Sequence, residues 1–445
     1  MFKKVLIANR GEIALRLARA AESLNIEPQF VYEPADKELP HAQKHGAQEI
    51  SSYTSIDEIV SVAKKTGADA VHPGYGFISE NPDFVLKTNE AGLEFVGPSY
   101  KAMSRLGNKQ YMLKSAKIAN IPQIQGIFLS IDNLEKAYAE AERIGYPVIV
   151  KGKESGGGRQ IRLIKNSEEL EHAINRIKKT EDVNEIYIAK FLTNVKHIEV
   201  QLLGDKTRNV VSLGTRDCSI QRRFQKLIEE APSTIPYPLR DAIENSAINI
   251  AYLADYTNAC TIEFLLDEHG NYYFMEVNPR LQVEHCVTEE VYNVDIVKNQ
   301  FLIASGEQLD PSLQDVKPVG HSIQCRINAE DPLNDFVPTP GLLTAFKPPK
   351  VEPKKVRFES FLRENLSVPS IYDSLIAKLI VNGKDRQDAI NKVLTQLDQV
   401  KVQGFPTTIE FFKKVFREPM FVSGHHKTNY IELFMPELKE QLQNE

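Results

Sequence analysis

The chain has 445 residues, enough for about three domains at roughly 150 residues each. Hydrophobic residues make up 42% and charged residues 26%, ordinary globular usage that excludes a disordered or fibrous protein. Lys and Arg number 54 against 60 Asp and Glu, a net charge of −6; this argues against a general nucleic-acid or anionic-membrane surface but leaves a local phosphate site open.

The first residues, MFKKVLIANRGEIA, carry too short an apolar stretch for a signal-peptide core, and no later run approaches the roughly 18 residues of a membrane span. A cytoplasmic protein is expected. Cys218, Cys260, Cys286 and Cys325 are far apart without CxxC spacing, so they read as reduced thiols and not as a disulfide framework or a zinc site.

Residues 1–100 alternate strand and helix signals. KVLIA (4–8) reads as a buried strand, followed by Ile13, Leu17, Ala20, Ala21 and Leu24 at helical spacing. Strands at 29–32, 68–72 and 94–97 and helices around 56–65 and 82–91 continue the series, which predicts a doubly wound parallel sheet. Asn9, Arg10 and Gly11, and Gly74, Tyr75 and Gly76, fall at carboxyl ends of strands, where open parallel sheets bind ligands; a purely structural turn fits these glycines equally well.

A second unit begins near Lys109. YPVIVKG (146–152), the run KESGGGRQ (153–160) and IRLI (161–164) predict strand, glycine loop, strand. The loop is not a Walker loop, since no Gly-Lys-Ser/Thr follows. Gly156, Gly157 and Gly158 would offer backbone N–H groups to phosphate oxygens, supported by Arg159 and by Lys151 at the preceding strand end.

The third unit, from about residue 200, is strand-rich with helices near 240–255, 288–305, 385–400 and 407–415; KPPKVEPKK (347–355) reads as an exposed connection. Its segment TIEFLLDEHGNYYFMEVNPRLQVEH (261–285) predicts a hairpin about Glu268 to Asn271. A two- or four-residue loop centred between 269 and 270 sets Glu263 opposite Glu276. Two facing carboxylates repel unless a cation lies between them, and Asn278 shares their face, so the set suits Mg²⁺ or Mn²⁺. Glu276, Asn278, Arg280, Gln282 and Glu284 then alternate with apolar residues. Read as one strand, they place a metal end, an anion-binding end and a candidate base in line; a half-buried strand with a solvated face is the bland alternative, against which count Pro279, which lacks the N–H of a central strand, and polar residues that are not interchangeable surface types.

RDCSIQRRFQK (216–226) concentrates Arg216, Arg222, Arg223 and Lys226, which form either a charged surface loop or, beside a metal-phosphate site, an anion clamp. In HSIQCRINAEDP (321–332) alternation puts Gln324 and Arg326 on one face. The histidines lack metal spacing and read as structural.

The segments IANRGEIA (7–14), HPGYGFISEN (72–81), RDCSIQRR (216–223), EEAPS (229–233), RLQVEH (280–285), CRINAEDP (325–332) and YDSLIAKLIV (372–381) together resemble biotin carboxylase over the whole chain. The resemblance implies an α/β protein of ATP-grasp fold: an N-terminal doubly wound domain (1–108), a small lid domain (109–200), an ATP-grasp catalytic domain (201–330) and a C-terminal domain (331–445). It implies that ATP phosphorylates bicarbonate and that carboxyphosphate then supplies CO₂ to biotin.

Carried onto matching positions, ATP would be held by Lys109, Lys151, Gly156, Gly157, Gly158, Ala189, Lys190, Leu192, His197, Gln221, Glu263 and Glu276. Glu263, Glu276 and Asn278 would bind two Mg²⁺ or Mn²⁺ ions. Lys226, Arg280, Gln282 and Val283 would hold bicarbonate, with Glu284 as its base; Arg326 would stabilise the biotin enolate, with Tyr75 beside it.

The chain departs from the family pattern at Asn108, Lys153, Glu154, Ser155, Gln160, Ala189 and Phe224, all bearing on ATP or the lid. It has no Met-Lys-Met biotinyl site, so biotin is expected on a separate carrier protein, with carboxyltransferase subunits as further partners. The context implied is a bacterial acetyl-CoA carboxylase of fatty acid synthesis, with a homodimer among its assemblies. The alternatives are a subunit of another acyl-CoA or pyruvate carboxylase, another ATP-grasp carboxylate ligase, and a non-catalytic paralogous subunit.

Overall fold

The computed structural model describes residues 1–152, 161–180 and 183–443. The N-terminal alternation forms a five-stranded parallel sheet in the order Gln48–Glu49, Glu27–Tyr32, Lys4–Ile7, Ala70–His72, Glu94–Phe95. Successive strand residues point to opposite faces, and both faces are covered. Leu6, Val31 and Val71 pack with Ile59, Phe84 and Val85, while Val5, Ile7, Phe30 and Ala70 pack with Ile13, Leu17 and Ala21. Burial on two sides accounts for the unbroken apolar runs in the sequence. The edge strand Gln48–Glu49 is short and polar, and carried no apolar signal.

At the carboxyl ends of these strands, Asn9 Nδ2 donates to the carbonyls of Pro73 (2.7 Å) and Tyr75 (2.8 Å), and Arg10 pairs with buried Asp36 (2.6 Å). Asn9 thus fastens the two turns to each other, and Arg10 ties the first of them to Asp36. Gly74 has φ +66°, and a Cβ there would come 3.0 Å from Asn9 Nδ2, so the close approach of the two turns requires glycine.

The second unit is a four-stranded antiparallel sheet in the order Gly126–Ser130, Glu185–Lys190, Val148–Gly152, Arg162–Ile164. Helices Leu134–Ile144 and Ser167–Thr180 close its core through Ala137, Ala141, Ile174 and Ile177. The two strands flanking the glycine run pair antiparallel, as the hairpin reading expects; Gly156, Gly157 and Gly158 lie outside the described residues.

The rest is built on one eight-stranded antiparallel sheet: Tyr272–Asn278, Asn258–Leu266, Lys196–Gly204, Val210–Arg222, Gln225–Ala231, His321–Asn328, Leu375–Gly383, Val356–Ser360. The helix expected over 288–305 is two helices, His285–Tyr292 and Ile296–Ala304. Asn293 ends the first in the left-handed conformation, and the Asp295 carboxylate caps the second by accepting from the Lys298 N–H. The helix Tyr430–Gln443 packs on the sheet although Pro436 lies inside it, and the sequence pattern gives no helix signal there. The four cysteines are buried and free. Among the described residues no helix is long and apolar enough to cross a membrane.

Candidate active site

Glu263 and Glu276 are cross-strand partners, as the hairpin register predicts, but by another route. The loop spans Asp267 to Asn271: the Asp267 carboxylate accepts from the N–H groups of His269 (2.9 Å) and Asn271 (2.8 Å). This odd loop shifts the pairing by one residue, so that Leu266 faces Tyr272; an irregularity between Glu263 and Phe264 restores the expected register. The loop centre expected between 269 and 270 is therefore corrected to 269.

The row of carboxylates continues into the sheet. Glu199 lies opposite Glu263 on one side and opposite Arg216 on the other. Lys226 Nζ donates to Glu199 (2.5 Å), Glu263 (2.8 Å) and Glu284 (2.7 Å), so one ammonium joins three buried carboxylates. Burial alone would lower the Lys226 pKa, but Glu199, Glu263 and Glu284 outweigh it and hold it well above the ordinary value. Arg216, wholly buried, bonds Glu199 and reaches Gln201 (2.8 Å), Thr288 (2.9 Å) and Thr261 (2.9 Å).

The alternating polar residues do not continue as a strand. The strand ends at Asn278, and residues 279–284 bend away before the helix His285–Tyr292, because Pro279 has no N–H for a ladder. The side chains converge nonetheless. Arg280 donates to Glu80 (2.5 Å), Gln282 Oε1 (3.0 Å) and Asn278 Oδ1 (3.1 Å); Asn278 Nδ2 donates to Glu263 (2.9 Å). Glu284, wholly buried, also accepts from Arg326 Nη2 (3.0 Å), whose Nε bonds Glu229. Burial would raise the Glu284 carboxyl, yet Lys226, Arg326 and Arg216 prevail and keep it well below the usual range. Glu229 is shifted upward by burial, against the opposing pull of Arg326.

The anion-clamp reading of 216–226 is corrected. Val210–Arg222 and Gln225–Ala231 form a hairpin with Arg223 and Phe224 at positive φ in its turn. Arg222 and Arg223 pair with Asp335 (2.6 and 2.7 Å), whereas Arg216 and Lys226 both bond Glu199, so two of the four cations reach the carboxylate cluster. Gln221 is nearly buried opposite Lys226.

Lys109 lies 4.4 Å from the centroid of the Tyr187 ring, and burial together with neighbouring Lys151 lowers its pKa to about 8. Both lysines act electrostatically on Glu276, Lys109 from the helix Lys109–Ile118 and Lys151 from the four-stranded sheet. His197 Nε2 is 3.0 Å from Glu263 Oε2. Lys190 is turned onto its own sheet, donating to the carbonyls of Gly145 (2.8 Å) and Tyr146 (3.1 Å), with Ala189 buried beside it and Leu192 half-exposed past the strand end. The Tyr75 hydroxyl donates to Glu12, and the Val283 carbonyl accepts from Lys378 (3.0 Å).

The donor set fits a hard divalent cation: Glu263, Glu276 and Asn278 offer oxygens on one face. Burial and the facing Glu263 raise the Glu276 carboxyl, a repulsion that a bound cation relieves. Glu276→Gln is accordingly expected to raise the Mg²⁺ concentration for half-maximal ADP release by about tenfold, the equivalent of roughly 1.4 kcal/mol; a Mg²⁺ titration at saturating ATP measures it.

Glu199, Glu229 and Glu80 were not picked out from the sequence. Glu199 had one usable signal, its period-two spacing from His197 on the strand Lys196–Gly204; Glu80 and Glu229 lie within the segments HPGYGFISEN and EEAPS, whose resemblance marked them only as part of a motif.

A four-stranded antiparallel sheet that sets a strand-end lysine, Lys151, against a carboxylate-bearing face of a larger antiparallel sheet defines the ATP-grasp class. Family models for the biotin carboxylase N-terminal domain, the carbamoyl-phosphate synthase L chain ATP-binding domain and the biotin carboxylase C-terminal domain match residues 1–103, 108–312 and 324–433. Biotin carboxylase 1 of Bacillus subtilis is 43% identical over 452 residues, covering 98% of this chain and 99% of that protein. A pyruvate carboxylase subunit of Methanothermobacter thermautotrophicus is 42% identical, covering 97% of this chain and 90% of that protein. The biotin carboxylase domain dimer of Hydrogenobacter thermophilus 2-oxoglutarate carboxylase, solved with MgADP, ADP and bicarbonate, superposes with a TM-score of 0.93 at 40% identity, covering 97% of each chain. The chain belongs to the biotin carboxylase family and is an ATP-dependent ligase.

Proposed function

We propose that this chain carboxylates biotin carried on a separate protein, with acetyl-CoA as the final acceptor of the assembled carboxylase and the cytoplasm as its compartment. The observation that carries the chemistry is the junction of Lys226 and Arg326 on Glu284, between the metal-type carboxylates and the biotin side. Glu284 takes the bicarbonate proton as a bicarbonate oxygen attacks the γ-phosphorus and ADP leaves. Lys226 and Arg280, with Gln282 and the Val283 main chain, hold the anion. Carboxyphosphate yields CO₂ and phosphate, the released phosphate takes the biotin N1′ proton, and Arg326 stabilises the enolate, whose N1′ attacks CO₂. Mg²⁺ or Mn²⁺ at Glu263, Glu276 and Asn278 would neutralise phosphate charge.

Lys109, Lys151, the glycines 156–158, Lys190, Leu192, His197 and Gln221 would bind ATP, in a chain divided at 1–108, 109–200, 201–330 and 331–445. Biotin carboxyl carrier protein and carboxyltransferase subunits complete the assembly. A pyruvate or 2-oxoglutarate acceptor is the second reading, favoured by relatives of those names.

The deciding experiment is ADP release that requires bicarbonate and Mg²⁺ and rises with free biotin; bicarbonate-independent turnover overturns the reading. Reconstitution with each carboxyltransferase partner separates the acceptors. Because Lys109 titrates at about 8 and attracts phosphate only when protonated, ATP affinity is expected to fall as pH rises from 7 to 9.5. Calorimetry over that range, with Lys109→Met losing the dependence, measures it.

A further inference from the structure

Lys378 lies within the strand Leu375–Gly383, directly opposite Arg326 on the neighbouring strand. Like charges facing each other are destabilising, and Lys378 is also wholly buried, so it persists only where fixed oxygens satisfy it. Its Nζ lies 3.0 Å from Glu12 Oε1 and donates to the Val283 carbonyl at 3.0 Å, with the Tyr75 ring centroid 5.8 Å away. Glu12 in turn accepts the Tyr75 hydroxyl.

The Val283 carbonyl and the Glu284 N–H belong to one planar peptide unit, so a bond to that carbonyl fixes the plane from which the Glu284 side chain projects. Residues 279–284 lie outside helix and strand, and no ladder holds this plane. Lys226 and Arg326 grip the Glu284 carboxylate; Lys378 grips its root. We propose that Lys378 is a positioning residue that orients Glu284 toward bicarbonate and, through Glu12, sets the Tyr75 wall of the biotin side. The inference rests on the roles read above for Glu284 and Tyr75.

The test is steady-state ADP release by the full chain with bicarbonate, ATP and free biotin each varied. Lys378→Met is expected to lower kcat/KM for bicarbonate about ten- to a hundredfold, the range for losing a charged hydrogen bond, with KM for ATP within twofold. Glu12→Gln, which keeps the size of the side chain but removes its charge, is expected to raise KM for biotin several-fold and to change KM for bicarbonate less. A folded Lys378→Met enzyme with unchanged bicarbonate kinetics overturns the proposal. Equal losses for bicarbonate and ATP also overturn it, since they mark a general structural role. If Lys378→Met does not fold, unchanged biotin kinetics in Glu12→Gln overturn it instead. Wild-type turnover independent of bicarbonate defeats the functional reading itself, and is thereby distinguished from failure of Lys378 alone.

Discussion

Glu284→Gln is expected to lower bicarbonate-dependent ADP release about 10²- to 10⁴-fold, the contribution of a positioned general base. The substitution keeps the shape of the side chain and removes its capacity to take a proton together with the charge that pairs with Lys226 and Arg326. Glu284 is wholly buried and held well below the usual carboxylate range by Lys226, Arg326 and Arg216 against the cost of burial, so it is ionised throughout the physiological range. Nucleotide binding, measured by calorimetry, should change little because Glu284 touches none of the residues assigned to ATP except through Lys226. Arg326→Ala serves as the companion control, since it removes a partner of Glu284 and the group assigned to the biotin enolate. Retention of more than a tenth of the wild-type rate by Glu284→Gln removes it from the role of base.

Lys226→Met is expected to be the most destabilising single change in the site. It leaves Glu199, Glu263 and Glu284 buried without the ammonium they share. Removing one member of a buried ion cluster costs about 3–5 kcal/mol because the remaining charges are uncompensated. The effect has a definite pH dependence. In the wild type, Lys226 is the chief cation opposing burial at Glu263 and Glu284, and their depressed carboxyls contribute stability present above the unfolded pKa and lost as pH falls through the folded one. Without Lys226 burial is opposed only by the remaining cations, Arg326 and Arg216 at Glu284 and His197 at Glu263, so the folded pKa values move upward and less of this pH-dependent stability is left to lose. The difference in melting temperature between wild type and variant should therefore narrow as pH falls from 7.5 through the carboxylate range. A constant difference shows that Lys226 contributes by packing alone.

The facing carboxylates were legible because hairpin register is local: Glu263 and Glu276 are 13 positions apart on two strands joined by one turn. Even so, a compensating pair of features, an odd loop and a register shift, produced the right pairing for an incomplete reason. The alternation from 276 to 284 correctly picked out residues that converge, but Pro279 ends the strand, and it is the following bend that gathers Arg280, Gln282 and Glu284. What escaped sequence reading is what depends on contacts between distant strands. Arg216 looked like one of four exposed cations, yet its place opposite Glu199 buries it, while Arg222 and Arg223 at the hairpin end turn to Asp335. Glu229 sits in an acidic run that local pattern cannot aim at Arg326. Recognition of the family rested on motif order along the chain, and assigned roles that spacing alone left open.

The separation of the two antiparallel sheets has a mechanical consequence. The eight-stranded sheet carries Glu263, Glu276, Lys226 and Arg326 on a single hydrogen-bonded lattice, so their mutual distances are resistant to shear. The four-stranded sheet shares no ladder with it; near its entry the chain touches the larger sheet at the Gln123 and Phe274 bridge and the Phe274 N–H bond to Pro122. Rotation of the small sheet about that point strains few backbone bonds. Were the small sheet to turn about that point, Lys151 and Lys190 would travel with it, while the large sheet would keep Glu263, Glu276, Lys226 and Arg326 in register.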